Sequence, residues 1–223
     1  MPPDRDRDED HLFDAIYPAP IRRASRRFWT PVAVARRAAA LFRDAGARRV
    51  LDVGAGVGKF VLAAAASAPT IHFVGMEHRV HLVDVARCCR CKLRISNAHF
   101  LVGDVTAVRW RAFDGLYFFN PLAENLLSVE DRIDGQVELT AARFVHDVAG
   151  VEDALRSARV GSVVVTYHGS STRMPGSYEL KHAERAGSDW LRVWVKERAT
   201  DNGAFFWELD DSIVWCPAAR GIV

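Results

Sequence analysis

The stretch that most constrains this chain is RRVLDVGAGVGKFVLAAA, residues 48–65, in which three glycines separate an apolar run from an alanine-rich run. A short apolar run makes a buried strand, and alanine-rich sequence makes a helix. Glycines between them make a turn whose backbone can come close to a ligand. Three ligands compete for such a turn. A phosphate-cradling loop needs G-x-x-x-x-G-K-[ST]. Gly58 and Lys59 satisfy its end, but Val53 stands at its first glycine and Phe60 at its hydroxyl position, so that reading fails. A dinucleotide turn needs G-x-G-x-x-G, and here Lys59 stands where close helix–strand packing calls for the third glycine. What remains is an acid with glycines two, four and six residues later: Asp52, Gly54, Gly56 and Gly58.

Strand and helix signals alternate around this loop. RVLDVG (49–54), IHFVGME (71–77), AHFLVGD (98–104), FDGLYFFN (113–120) and GSVVVTYHG (161–169) read as strands, with helices over KFVLAAAASA and the cysteine-bearing HRVHLVDVARCCRCKLR. A mostly helical stretch is predicted over 122–158. WLRVWVKER (190–198) and AFFWELDDSIVWC (204–216) alternate apolar and polar residues and read as an antiparallel pair joined through TDNG. Strands separated mainly by helices, with a hairpin at the end, predict an α/β fold with a mainly parallel sheet covered on both faces. TPVAVARRAAALFRDAG reads as a helix with Thr30 as N-cap, Pro31 at its first position and Gly46 at its stop. Its expected buried side is Val32, Val34, Ala35, Ala38 and Leu41. The preceding DAIYPAPIRRASRRF reads as irregular, and the acidic MPPDRDRDED as disordered.

The 223 residues suit one domain, and no apolar run approaches the ~20 residues of a membrane span. The charged N-terminus lacks the apolar core of a secretory signal, so a soluble cytoplasmic protein is expected. A net charge of +2 hides an uneven distribution: residues 22–49 carry nine arginines against the single acid Asp44. Such a cluster suits phosphates or an acidic partner, although with 26 arginines to 4 lysines arginine is also the default surface cation here. Cys88 and Cys91 form a lone C-x-x-C. With no second pair near it, helix packing by Val80, Val83, Ala86 and Cys89 is the expected role of the segment, and no metal site is expected.

The acid-and-glycine pattern resembles motif I of the class I S-adenosylmethionine-dependent methyltransferases, and the later strand ends strengthen the resemblance. It implies a Rossmann-like, mainly parallel seven-stranded sheet with helices on both faces and a C-terminal antiparallel hairpin. It also implies S-adenosyl-L-methionine as cofactor and S-adenosyl-L-homocysteine as product. By resemblance Asp52 organises the methionine amino group, while Gly54, Gly56 and Gly58 admit the cofactor. Glu77, twenty-five residues after Asp52 in VGMEHR, would take both ribose hydroxyls, as an acid does in dinucleotide folds. Asp104 and the Val105 amide, in VGDVTAV, would meet the adenine. Thr30, in FWTPVAVA, faintly resembles the threonine that some lysine methyltransferases of this fold place near the methionine carboxylate. The implied division is a disordered tail (1–16), an N-terminal lid and helix (17–47) in which Tyr17 could close over the cofactor, and a cofactor-binding domain (48–223).

FFNPLAEN, after the fourth strand, is the clue to the acceptor. It resembles [DN]-P-P-[FY] of nitrogen methyltransferases, in which the first side chain and a proline carbonyl accept hydrogen bonds from the target amino group. Asn120 and Pro121 match; Leu122 and Ala123 depart, so a flipped base loses its usual aromatic platform. Tyr167 and His168 close the fifth strand on the acceptor side, where His168 can act as a general base. The expected activity is N-methylation of a protein side chain or small-molecule amine. The alternatives are O-methylation of a small metabolite, or cofactor binding without catalysis combined with docking on nucleic acid through residues 22–49.

Overall fold

A computed structural model describes residues 4–104, 108–170, 172–200, 203–209 and 212–216. The five apolar runs become β1 (Arg49–Val53), β2 (His72–Glu77), β3 (Ala98–Val102), β4 (Gly115–Phe119) and β5 (Val163–Tyr167). They pair in parallel in the order β3-β2-β1-β4-β5. Their side chains alternate between two cores. Val50, Tyr117 and Val165 join α3 (Val32–Asp44), α4 (Lys59–Ser67) and α5 (Val80–Leu93), while Leu51, Phe118 and Val164 meet α6 (Ala141–Ser157). Burial on both faces explains why these strands read as continuous apolar runs. On the first face Phe60 stacks flat on Tyr117, with ring centroids 3.5 Å apart.

The far edge of the sheet departs from expectation. β8 (Asp189–Lys196) is the antiparallel strand read from sequence, but it pairs with β5 and with β7 (Tyr178–Ala186), not with residues 204–216. β7 has no counterpart among the strand signals of the sequence. It is an edge strand with mostly solvent-facing residues, so YELKHAERA lacks an apolar signature. These two strands complete the seven-stranded Rossmann-like sheet. The C-terminal hairpin lies within the last segment: β9 (Phe205–Leu209) pairs antiparallel with β10 (Ser212–Cys216), and both stand in a small second sheet with β6 (Met174–Pro175). The stretch 122–158 is helical only in its second half. Ala123–Leu126 and Val129–Asp131 are single 3-10 turns, and α6 starts after Thr140, whose hydroxyl accepts from the Arg143 amide at 3.1 Å.

The N-terminal region differs most. Residues expected to be disordered form α1 (Asp4–Asp14), and residues expected to be irregular form α2 (Ala19–Phe28). The cause is long-range. Lys59, buried at the start of α4, holds Asp10 and Asp14 at 2.8 Å each and donates to Ser25 Oγ at 3.1 Å. Asp10 also accepts from the Val32 amide at 2.9 Å, so it caps α3 in place of Thr30, whose hydroxyl instead meets the Tyr117 hydroxyl at 3.0 Å. Along α3, Phe42 is fully buried while Leu41 is only half-buried. Along α5, Leu82, Val83, Ala86 and Cys89 are buried, Val80 is exposed, and Cys88 and Cys91 are exposed free thiols. Tyr17 is buried in the core beside Phe13, not over a cavity. Among the described residues no helix is long and apolar enough to cross a membrane.

Candidate active site

A cavity of about 410 Å³ opens at the carboxyl ends of the parallel strands, where open α/β sheets bind ligands. Gly54 (φ +76°) and Gly56 (φ +53°) form its floor after β1. A Cβ on Gly54 would stand 2.9 Å from that of Pro121, so only bare backbone fits between the two turns. Gly58 also has positive φ, but it faces Phe100 and Ala86 and lies outside the cavity. It lets α4 pack closely on β3, the role that the third glycine plays in dinucleotide turns.

Glu77, at the end of β2, is buried and lines the cavity. Its Oε2 accepts from the Gly56 amide and its Oε1 from the Arg79 amide, both at 3.0 Å. A carboxylate offers about four acceptor positions, so capacity remains for a ligand's hydroxyls. Asp52 sits beneath the loop, 4% exposed and outside the cavity lining. Burial, with the Glu77 charge adding to it, pushes its carboxyl well above the usual range. Asp104 lines the cavity and pairs with Arg143 at 2.9 Å, and Arg143 reaches on to Asp147 at 3.2 Å. Val105 lies outside the described residues.

Across from the glycines, Asn120 takes φ +42°, a conformation asparagine tolerates better than most residues. Its backbone N–H donates to the Gly169 carbonyl at 3.0 Å and its backbone carbonyl accepts from the Ala123 N–H at 3.2 Å; the first of these ties the turn after β4 to the turn after β5. His168, in that second turn, is also left-handed (φ +56°) and lines the same cavity. Its Nδ1 lies 2.5 Å from Asp189 and its Nε2 lies 3.3 Å from Ser188 Oγ. Burial lowers the pKa of His168 against the opposing pull of Asp189, which favours the neutral imidazole at pH 7. Tyr167 is fully buried and does not line this cavity; its hydroxyl meets Ser188 Oγ at 3.2 Å. Thr30 is likewise outside it.

Sequence reasoning missed four participants. Trp29 lays its indole on Gly56, and Arg79 is a buried guanidinium that holds Glu124 at 2.8 Å and Asp134 at 3.1 Å, strapping the 121–134 loop to β2. Arg143 and Asp189 are the others. Their roles depend on which elements become neighbours, and only Trp29, adjacent to the Thr30-Pro31 pair, carried any sequence signal.

Residues 45–137 match the family described as a methyltransferase domain. Residues 45–137 thus belong to a methyltransferase domain, built on the Rossmann-like sheet described above. Among curated relatives, a tRNA (guanine-N(7)-)-methyltransferase of Synechococcus sp. (strain JA-3-3Ab) is 37% identical over 65 residues, which are 29% of this chain and 28% of that protein. The chain thus aligns with little more than a quarter of that relative's length. An RNA methyltransferase of Salinibacter ruber, solved in complex with S-adenosyl-L-homocysteine, shares the fold at 17% identity, with a TM-score of 0.53 over 75% of this chain and 93% of that one. TrmN of Thermus thermophilus does so at 23% identity, with a TM-score of 0.52 over 78% and 51%. The residues that line the cavity fit the cofactor. Bare glycine backbone faces the cavity, Glu77 offers acceptors, and Trp29 keeps a buried indole N–H without an acceptor.

Proposed function

We propose that this domain transfers a methyl group to a nitrogen of its acceptor. The observation that carries this reading is the convergence of Asn120 and His168, from different strand ends, on the cavity that holds Gly54, Gly56 and Glu77. In it Glu77 takes the ribose hydroxyls, Asp104 and the Val105 amide take the adenine, and Asp52 faces the methionine amino group from beneath the loop. Gly58 and Thr30 have no direct contact in this reading; each supports the loop from behind. The cofactor supplies a methyl group already activated on a sulfonium, so alignment of the nucleophile is the chain's main contribution.

Asn120 accepts a hydrogen bond from the acceptor's N–H and turns its lone pair toward the cofactor. His168, with Nδ1 held by Asp189, presents Nε2 to take the proton that the nitrogen sheds. Tyr167 acts only through Ser188, which it holds beside that Nε2. The acceptor classes compatible with this arrangement are an amine of a protein side chain or small molecule and an exocyclic amine of a base. The same His168–Asp189 pair serves a hydroxyl acceptor, which is the second reading.

The test is transfer of radiolabelled methyl from S-adenosylmethionine into the protein, RNA and small-molecule fractions of a lysate. Asn120→Ala is expected to lower transfer about 100-fold or more, in the range of misplaced reacting groups, with S-adenosylhomocysteine affinity retained. Transfer by Asn120→Ala at the wild-type rate overturns the reading.

A further inference from the structure

A second cavity, about 780 Å³, adjoins the first and shares with it Arg26, Trp29, Phe119, His168 and Ser188. Its outer wall is basic. Arg22, Arg23 and Arg26 project from α2, and Arg7 of α1 joins them. None of these four makes an ion pair or side-chain hydrogen bond among the described residues. The two acids of the wall, Asp10 and Asp14, are already engaged by Lys59. On a helix, residues three and four apart lie about 5–6 Å from one another, so Arg22 and Arg23 both neighbour Arg26 on one face. Such a cluster can meet more than one phosphate of a strand. At the inner end stand Phe119 and His168, both half-buried, with ring centroids 5.3 Å apart in an edge arrangement. Trp29, in the wall common to both cavities, leaves its indole N–H without an acceptor while being 7% exposed.

We infer that this vestibule receives a single-stranded nucleic acid, with its phosphates on Arg22, Arg23 and Arg26 and one base passed inward to Phe119 and His168. A basic groove with aromatic side chains at its floor is how sequence-tolerant single-strand binding is built. An acidic peptide would use the arginines but bring no flat aromatic face to the rings at the inner end. A base held in a duplex cannot reach a site at this depth, so the bound strand is single or locally opened. The inference rests on the methyl-transfer reading only in naming the base as acceptor; strand binding stands by itself.

The experiment is fluorescence anisotropy of a labelled 12-nucleotide mixed-sequence RNA, and of DNA of the same sequence, across 50–200 mM salt. It uses the wild type and Arg22→Gln/Arg23→Gln. Those two residues line only the second cavity, so retained S-adenosylhomocysteine binding reports an intact fold. Each lost phosphate contact on a single strand removes about 0.7 from the salt slope, so the double variant's slope is shallower by about 1.4. Between 50 and 200 mM salt that amounts to about a sevenfold smaller loss of affinity. Binding of either strand with that change supports the inference, and the tighter of the two names the acceptor polymer. Absence of saturable binding at 50 mM salt, an unchanged slope, or tighter binding of poly-glutamate overturns it. Methyl label found in protein and abolished by Asn120→Ala, with no strand binding, would overturn this inference and leave the nitrogen-transfer reading standing.

Discussion

Substituting Gly56 by alanine tests the central packing of the site. Gly56 holds φ +53°, where an L-residue costs about 1–2 kcal/mol. The added Cβ would stand 2.9 Å from Cε3 of Trp29 and closer still to Cζ3, against a ring that is nearly buried. Overpacking of this kind costs about 1–3 kcal/mol, so Gly56→Ala should lose about 2–5 kcal/mol in all. Gly46→Ala separates the two causes. Gly46 holds φ +79° with nothing within 4 Å of its would-be Cβ, so it should lose only the backbone part, about 1–2 kcal/mol. Trp29→Ala removes the obstructing ring. In a double-mutant cycle with Gly56→Ala, the pair should therefore fall short of additivity by about the 1–3 kcal/mol steric part. Urea denaturation followed by circular dichroism measures the four variants against the wild type. If Gly56→Ala costs no more than Gly46→Ala, or if the cycle is additive, the indole does not rest on the glycine loop and the argument fails.

Two further outcomes follow from the buried charges. Because burial raises the Asp52 pKa, the folded state keeps a proton that the unfolded state has lost above its ordinary value of about 3.9. Stability attributable to Asp52 therefore falls as pH rises through that window, and Asp52→Asn should flatten the fall, raising Tm at pH 7.5 while weakening S-adenosylhomocysteine binding; Tm curves that run parallel from pH 4.5 to 7.5 would refute this. Asp189 raises the His168 pKa against desolvation, so Asp189→Asn should move the acid limb of the methylation rate to lower pH and reduce the plateau about 10-fold or more through lost orientation, whereas an unmoved limb would exclude His168 as the base.

What was legible in the sequence was local. β1 through β5 are short apolar runs that need no distant partner to be seen, and β1, β2 and β4 each carry a polar or bare-backbone feature just at or past the end. Gly54, Gly56, Glu77, Asp104 and Asn120 accordingly line one cavity, as their positions at the strand ends predict. Gly58 and Thr30, expected at the cofactor, lie outside this cavity: a left-handed glycine and a threonine before proline look the same whether they face a cavity or a packed ring.

The sequence by itself determined a strand–turn–helix with a ligand-approaching turn, the alternation that builds a parallel sheet, and the acids at its strand ends. These depend on φ preferences and on periods of two and 3.6 residues, which act over a few positions. Tertiary structure decided the rest: α1 held down by Lys59 across more than forty residues, Trp29 seated on Gly56, Arg79 strapping the 121–134 loop, and Asp189 brought to His168 by the pairing of β8 with β5. Each of those contacts joins groups whose own segments have no preference for one another until the sheet brings them within reach. A charge or a ring in a sequence carries no record of what will stand opposite it.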